Sequence, residues 1–128
     1  YSKLLIEKRF KSYEVIEHAL NKLLLLHSIP GVGQYNLVYH DVQSYESFHS
    51  SIVEANHHSL WLNKETKTYW MNLMGVHDKI SEFVFLNPTA SVAHFAATHY
   101  AEILVLHNKL QALIMTDIQD LYNLKKMV

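Results

Sequence analysis

The chain contains no cysteine, so disulfides, thiolate metal sites and cysteine nucleophiles are excluded. It has only 3 glycines and 2 prolines, and these fall in a few places. So few breakers predict long regular elements. No apolar run approaches the length of about 18 residues that a membrane span needs, and Leu23 to Leu26 is far too short. Neither sign of charge prevails: 11 Lys and Arg stand against 12 Asp and Glu. Without a basic patch, nucleic acid is not an expected partner. No signal-peptide pattern is present, and the absence of cysteine points to a cytoplasmic protein. The chain starts at Tyr1 rather than Met, which suggests numbering that begins inside a longer product.

What the chain does have is histidine and apolar residues at helical spacing. Ten histidines occur in 128 residues, roughly three times average usage. The apolar fraction of 49% is enough for one domain with a real core.

Periodicity predicts four helices. Helix 1 is expected from Ser2 to His27, with a stripe of Ile6, Phe10, Tyr13, Ile16, Leu20 and Leu24. Pro30, Gly31 and Gly33 follow its end, and the segment to His40 reads as irregular or briefly helical. Asp41 is the expected N-cap of helix 2, which reaches Leu62 with Tyr45, Phe48, Ile52 and Ala55 inward. Helix 3 runs from Lys64 to Leu86, before a break at Asn87 and Pro88. Helix 4 runs from Thr89 to Lys125 and is the longest. The expected fold is all-α: a four-helix up-and-down bundle in a single domain, with a long C-terminal helix. The far half of helix 4 is expected to overhang the bundle and form a homodimer.

Several polar residues fall inside these stripes. His77 lies between Leu73/Met74 and Ile80, His99 between Phe95 and Ile103, and Glu17 in the row Phe10, Glu17, Leu24. Depth can be read from the rise of about 1.5 Å per residue. His77 and His99 each sit roughly 14 Å from the turn joining helices 3 and 4. The same level crosses helix 2 near Ile52, one turn from His49, and helix 1 near Glu17. Glu102 follows His99 by three residues and shares its face.

Imidazole and carboxylate in one buried layer suit Fe, Mn or Zn. The metal set read this way is Glu17, His49, His77, His99 and Glu102. Two further readings stand beside it. His77 and His99 could be the axial ligands of a haem or hold another cofactor, with small Ala93, Ala96, Ala97 and Ala101 nearby. Or the layer is a structural His/Glu cluster inside a non-catalytic sensor or protein-interaction domain. Whether the chain is an enzyme stays open.

Other groups read as ordinary surface or core. Glu54 and His57 project away from the helix 2 stripe, and Glu14 and His18 pair on a solvated face. His94 points outward, His107 sits at the stripe's edge, and Asp117 lies too far along helix 4 to join the layer. Gly31 and Gly33 follow a helix and precede no Lys-Ser/Thr pair, so they form no phosphate loop.

The run Tyr69, Trp70, Met71, Asn72, Leu73, Met74, Gly75, Val76, His77 resembles a motif of a bacterial family of unknown function that builds ferritin-like, metal-binding four-helix bundles. The resemblance spans about 20 residues and implies that His77 ligates a metal. Lys67 stands where the motif has an acidic residue, which implies a mononuclear or degenerate site rather than a dinuclear one. A second similarity, to DinB-like bundles, rests on His57 and His58 before Trp61 and on His94 with His99. The five-residue step from His94 to His99 departs from that pattern.

Overall fold

The computed structural model describes residues 2–128. The first helix, α1 (Lys3–Asn21), starts where Ser2 Oγ accepts a hydrogen bond from Leu5 N at 3.0 Å. It ends earlier than its apolar stripe. A 3-10 turn over Lys22–Leu24 leads into a β-hairpin of β1 (Leu26–Ile29) and β2 (Gly33–Asn36). Helix 1 was expected to continue to His27, so the hairpin is a correction. Its cause is local. Asn36 Nδ2 donates to Leu23 O at 2.9 Å, and Leu37 N donates to Leu25 O at 2.8 Å. These bonds take up carbonyls that a longer helix would have used internally. Gly31 and Gly33, with φ of 77° and 122°, supply the left-handed backbone of the hairpin's tight turn.

A 3-10 turn over Leu37–Tyr39 then leads to α2 (Val42–His58). As expected, Asp41 caps α2, its carboxylate accepting from Ser44 N at 2.8 Å. Helix α3 (Lys64–Leu86) has the bounds its periodicity predicts. The long fourth helix does not form as one piece. It is divided into α4 (Val92–Ala97) and α5 (Tyr100–Lys125). At the break the Thr98 hydroxyl donates to Phe95 O at 2.6 Å, and His99 takes φ −106° and ψ 0°. A side chain that bonds back to the preceding turn competes with the helical ladder and bends it.

Side-chain pairs between helices define the packing. Along α2 and α3 they are Tyr45 with Ser81, His49 with His77, and Asn56 with Trp70. Along α1 and α5 they are Phe10 with Tyr122, Tyr13 with Asp117, and Leu20 with His107. In both sets residue numbers rise on one helix as they fall on the other. α3 packs on α5 in the same sense, through Thr66 with Asp117 and Lys109 with Tyr69. The molecule is therefore mostly helical, with one small two-stranded sheet among the described residues. No described helix is long and apolar enough to cross a membrane.

The far half of α5 does not overhang. Ile114, Asp117 and Leu121 are buried within this chain, so the stripe that raised the expectation of a partner is covered from inside. Asp117 is the polar centre of that region. Its carboxylate accepts from Tyr13 OH at 2.6 Å and from the Thr66 hydroxyl, while Tyr13 OH also accepts from Asn63 N at 3.1 Å. Burial and the bond to Asp117 push the Tyr13 phenol up to about 12. Replacing Asp117 with alanine strands two buried hydroxyls at once. The expected loss is about 2–4 kcal/mol of unfolding free energy in urea at pH 7. A loss below about 1 kcal/mol would show that this carboxylate is not the hub.

Candidate functional site

His77 is 2% exposed, and both of its ring nitrogens are hydrogen-bonded. Tyr39 OH lies 2.8 Å from His77 Nδ1, and His49 Nδ1 lies 2.9 Å from His77 Nε2. Each partner comes from a different element. His77 sits in the middle of α3, His49 about two turns into α2, and Tyr39 on the 3-10 turn that follows the hairpin. Aromatic rings close the rest of the cage. Tyr45 stacks on the imidazole at 5.6 Å and 22°, and Phe48 meets it edge-on at 5.5 Å and 85°. Tyr45 OH donates to Ser81 Oγ at 2.7 Å, and Ser81 donates back to His77 O at 3.1 Å.

The partners fix the tautomer. Tyr39 is 2% exposed, and among the described residues its hydroxyl pairs with His77 alone. It therefore donates to Nδ1, because the reverse order would leave its own proton buried and unmatched. His77 then carries its proton on Nε2 and donates to His49 Nδ1. His49 is half-buried and ends the chain of donors. Burial, and then the neighbouring His49, drives the His77 pKa down from 6.5 to about 4. Burial also pushes the Tyr39 phenol well above its ordinary range. Facing aromatic rings favour a cation, but desolvation is the larger effect here and the imidazole stays neutral.

Of the expected site residues, His49 and His77 meet and the others do not. Glu17 is half-buried and lines clefts on the outer side of α1 with Lys11 and Glu14, not the core. Leu24, the next residue of the expected row, lies beyond α1 on the 3-10 turn and is exposed, while Phe10 packs against the core. His99 sits at the break between α4 and α5, edge-on to Phe95 at 5.0 Å. Its Nδ1 is 3.9 Å from Glu102 Oε2, and its cleft is lined by Lys79, Glu82 and Phe83. The two imidazoles proposed as axial haem ligands thus face different surroundings. Among the described residues no group of three or more His, Asp or Glu side chains is disposed to hold a metal ion.

Tyr39 escaped the sequence reading, and His107 is deeper than its stripe suggested. Tyr39 lies in a segment without helical periodicity, so no stripe pointed to it. His107 is buried rather than at an edge, its Nε2 3.2 Å from Leu20 O. His94, Glu54 and His57 are exposed, as their positions predict. Comparison with protein-family models, with curated proteins and with solved structures finds no match in any of the three.

The depressed pKa has a direct consequence for stability. In the unfolded chain His77 takes up a proton below about 6.5, while in the fold it stays neutral down to about 4. Its contribution is present above pH 6.5, is lost as pH falls through that window, and levels off below 4. The expected loss from this one group is about 3 kcal/mol. Urea unfolding at pH 7 and pH 4.5 should show a smaller decline for His77→Gln than for the wild type. Equal declines would place the acid sensitivity on other groups.

Proposed function

We propose that this chain is a non-catalytic sensor or protein-interaction module, and that its buried Tyr39–His77–His49 chain is a structural, acid-responsive element. One observation carries the reading: protein partners occupy both ring nitrogens of His77. An imidazole saturated in this way acts as a brace between α2, α3 and the turn before α2. When it must be protonated, the brace fails and the elements it joins loosen. The opposed runs of α1, α2, α3 and α5 support a four-helix up-and-down bundle as its frame. In this reading the expected homodimer would use the exposed side of α5, where Val105 and Met115 are 67% and 71% exposed.

A second reading is favoured by the facing nitrogens of His49 and His77. A tetrahedral metal with bonds of about 2.0–2.1 Å holds two ligand nitrogens about 3.3 Å apart. Opening the 2.9 Å contact slightly and moving the His77 proton from Nε2 to Nδ1, where it is donated to Tyr39 O, would admit Fe, Mn or Zn between them. This site would take its remaining ligands from water or a substrate, and Glu17, His99 and Glu102 would not belong to it.

Elemental analysis and an absorption spectrum on tag-free protein separate the readings. The sensor reading expects far less than one metal per chain after reconstitution with Fe, Mn or Zn, and no Soret band. About one metal per chain, lost in His77→Ala but retained in His99→Ala, would overturn it in favour of the second reading.

A further inference from the structure

The solvent side of α5 carries an uncharged line. Ala101, Val105, Asn108, Ala112, Met115, Gln119 and Tyr122 follow one another at steps of four and three, and every one is exposed. They lie opposite the buried row of Ile103, Leu110, Asp117 and Leu121. Val105, Met115 and Tyr122 are 67%, 71% and 50% exposed. Glu102, Lys109 and Asp120 fall roughly a quarter-turn to one side, towards α3, where Lys109 covers the Tyr69 ring.

The line complements its own reverse. Set α5 against a second α5 running the other way, with Ala112 on Ala112 at a twofold axis. Ala101 then meets the partner's Tyr122, Val105 the partner's Gln119 and Asn108 the partner's Met115. The largest side chains face smaller ones, and alanine at the axis lets the backbones approach. A parallel pair would set Tyr122 on Tyr122 and Met115 on Met115. It would also align two helix dipoles that an antiparallel pair opposes.

The flanks favour the same arrangement. On the α1 side of the line, Leu24, Leu26 and Leu104 are 59%, 42% and 42% exposed beside the start of α5. On that side at the far end, Phe10, Ile118 and Tyr122 line a groove between α1 and α5. Twofold symmetry in an antiparallel pair brings like sides together with their ends exchanged. The leucines of one copy therefore reach the groove of the other. In a parallel pair they would meet the side that carries Glu102 and Lys109.

We propose that a second copy of the chain covers this face, with α5 antiparallel to α5 about a twofold axis at Ala112. The inference deepens the homodimer of the reading above and rests on it. The strip from Ala101 to Tyr122 is about 32 Å long and roughly 10 Å wide. Even with the leucine contacts added it falls short of the roughly 800 Å² per partner of a standard interface, so the dimer is weak. Its expected dissociation constant is micromolar, on the order of 10–100 µM.

Sedimentation velocity from about 5 to 500 µM tests the association, which should rise with concentration across that range. Met115→Glu and Val105→Glu each change an exposed side chain and leave the core intact. Each should raise the dissociation constant at least about tenfold while the helical circular dichroism is retained. Thiol trapping tests the direction, since the chain has no cysteine of its own. A disulfide needs Cα atoms within about 7 Å. Antiparallel pairing sets the two copies of residue 101 about 32 Å apart but brings 101 beside the partner's 122. Ala101→Cys should thus link to Tyr122→Cys in a mixture and not to itself. A monomer at every concentration overturns the proposal together with the homodimer, while the acid-responsive brace is still judged by metal content. A dimer in which Ala101→Cys links to itself, or one that both glutamate variants leave unchanged, overturns the proposal alone.

Discussion

Keeping a neutral imidazole in a dry core obliges the chain to deliver a partner to each of its nitrogens, and much of the architecture answers that demand. His77 lies near the middle of α3, its ring enclosed by Tyr45 and Phe48. One nitrogen requires α2 to sit in a register that places His49 opposite. The other requires the turn after the hairpin to bring Tyr39 inward. A slip of α2 by one residue would swing His49 by about 100° and break the pair. The imidazole thus sets the rotation of two helices and the position of a connection, tasks that apolar contacts leave loosely defined.

Asp117 solves a similar problem at another level. Its carboxylate gathers hydroxyls from α1 and α3 onto α5, and the Tyr13 hydroxyl in turn holds the backbone at the start of α3. Arg9 adds bonds to Asn63 and to Trp61 O in the same junction. Between these two polar centres lies a continuous apolar core of Ile16, Leu20, Trp70, Leu73, Ile103 and Leu110. Burial supplies most of the driving force for such a fold, whereas the two centres specify which faces meet.

Legibility in the sequence followed the strength of each local signal. Helix α3 carries 23 residues of unbroken periodicity, and its bounds were readable to the residue. The Asp41 cap was readable because a side chain there has one evident bond to make. The hairpin was not, since each strand has only four residues and the leucine run before it continues the stripe of α1. Its cause lies in a tertiary bond from Asn36 that no local pattern records. The split of the last helix was hidden for a similar reason: Thr98 is tolerated in helices, and only its rotamer bends this one. Counting rise along helices put His49 one turn from the His77 level, close enough to make them neighbours, because the connection between α2 and α3 is short; the structure pairs the two directly. It failed for Glu17 because an extended hairpin replaced the assumed turn, and for His99 because the helix carrying it breaks there. Tyr39 was invisible to any periodic rule.

The bond between Tyr13 and Asp117 spans 104 positions of sequence. On a ribosome, α1 emerges with Ile6, Tyr13, Ile16 and Leu20 facing nothing; α2 shelters one flank once it forms, but the flank that α5 covers must wait for almost the whole chain. Closing so large a loop costs entropy before any contact repays it. The first helix is therefore made early and fully sheltered only late. During synthesis its apolar stripe is the surface most open to chaperones or to mispairing with another nascent chain.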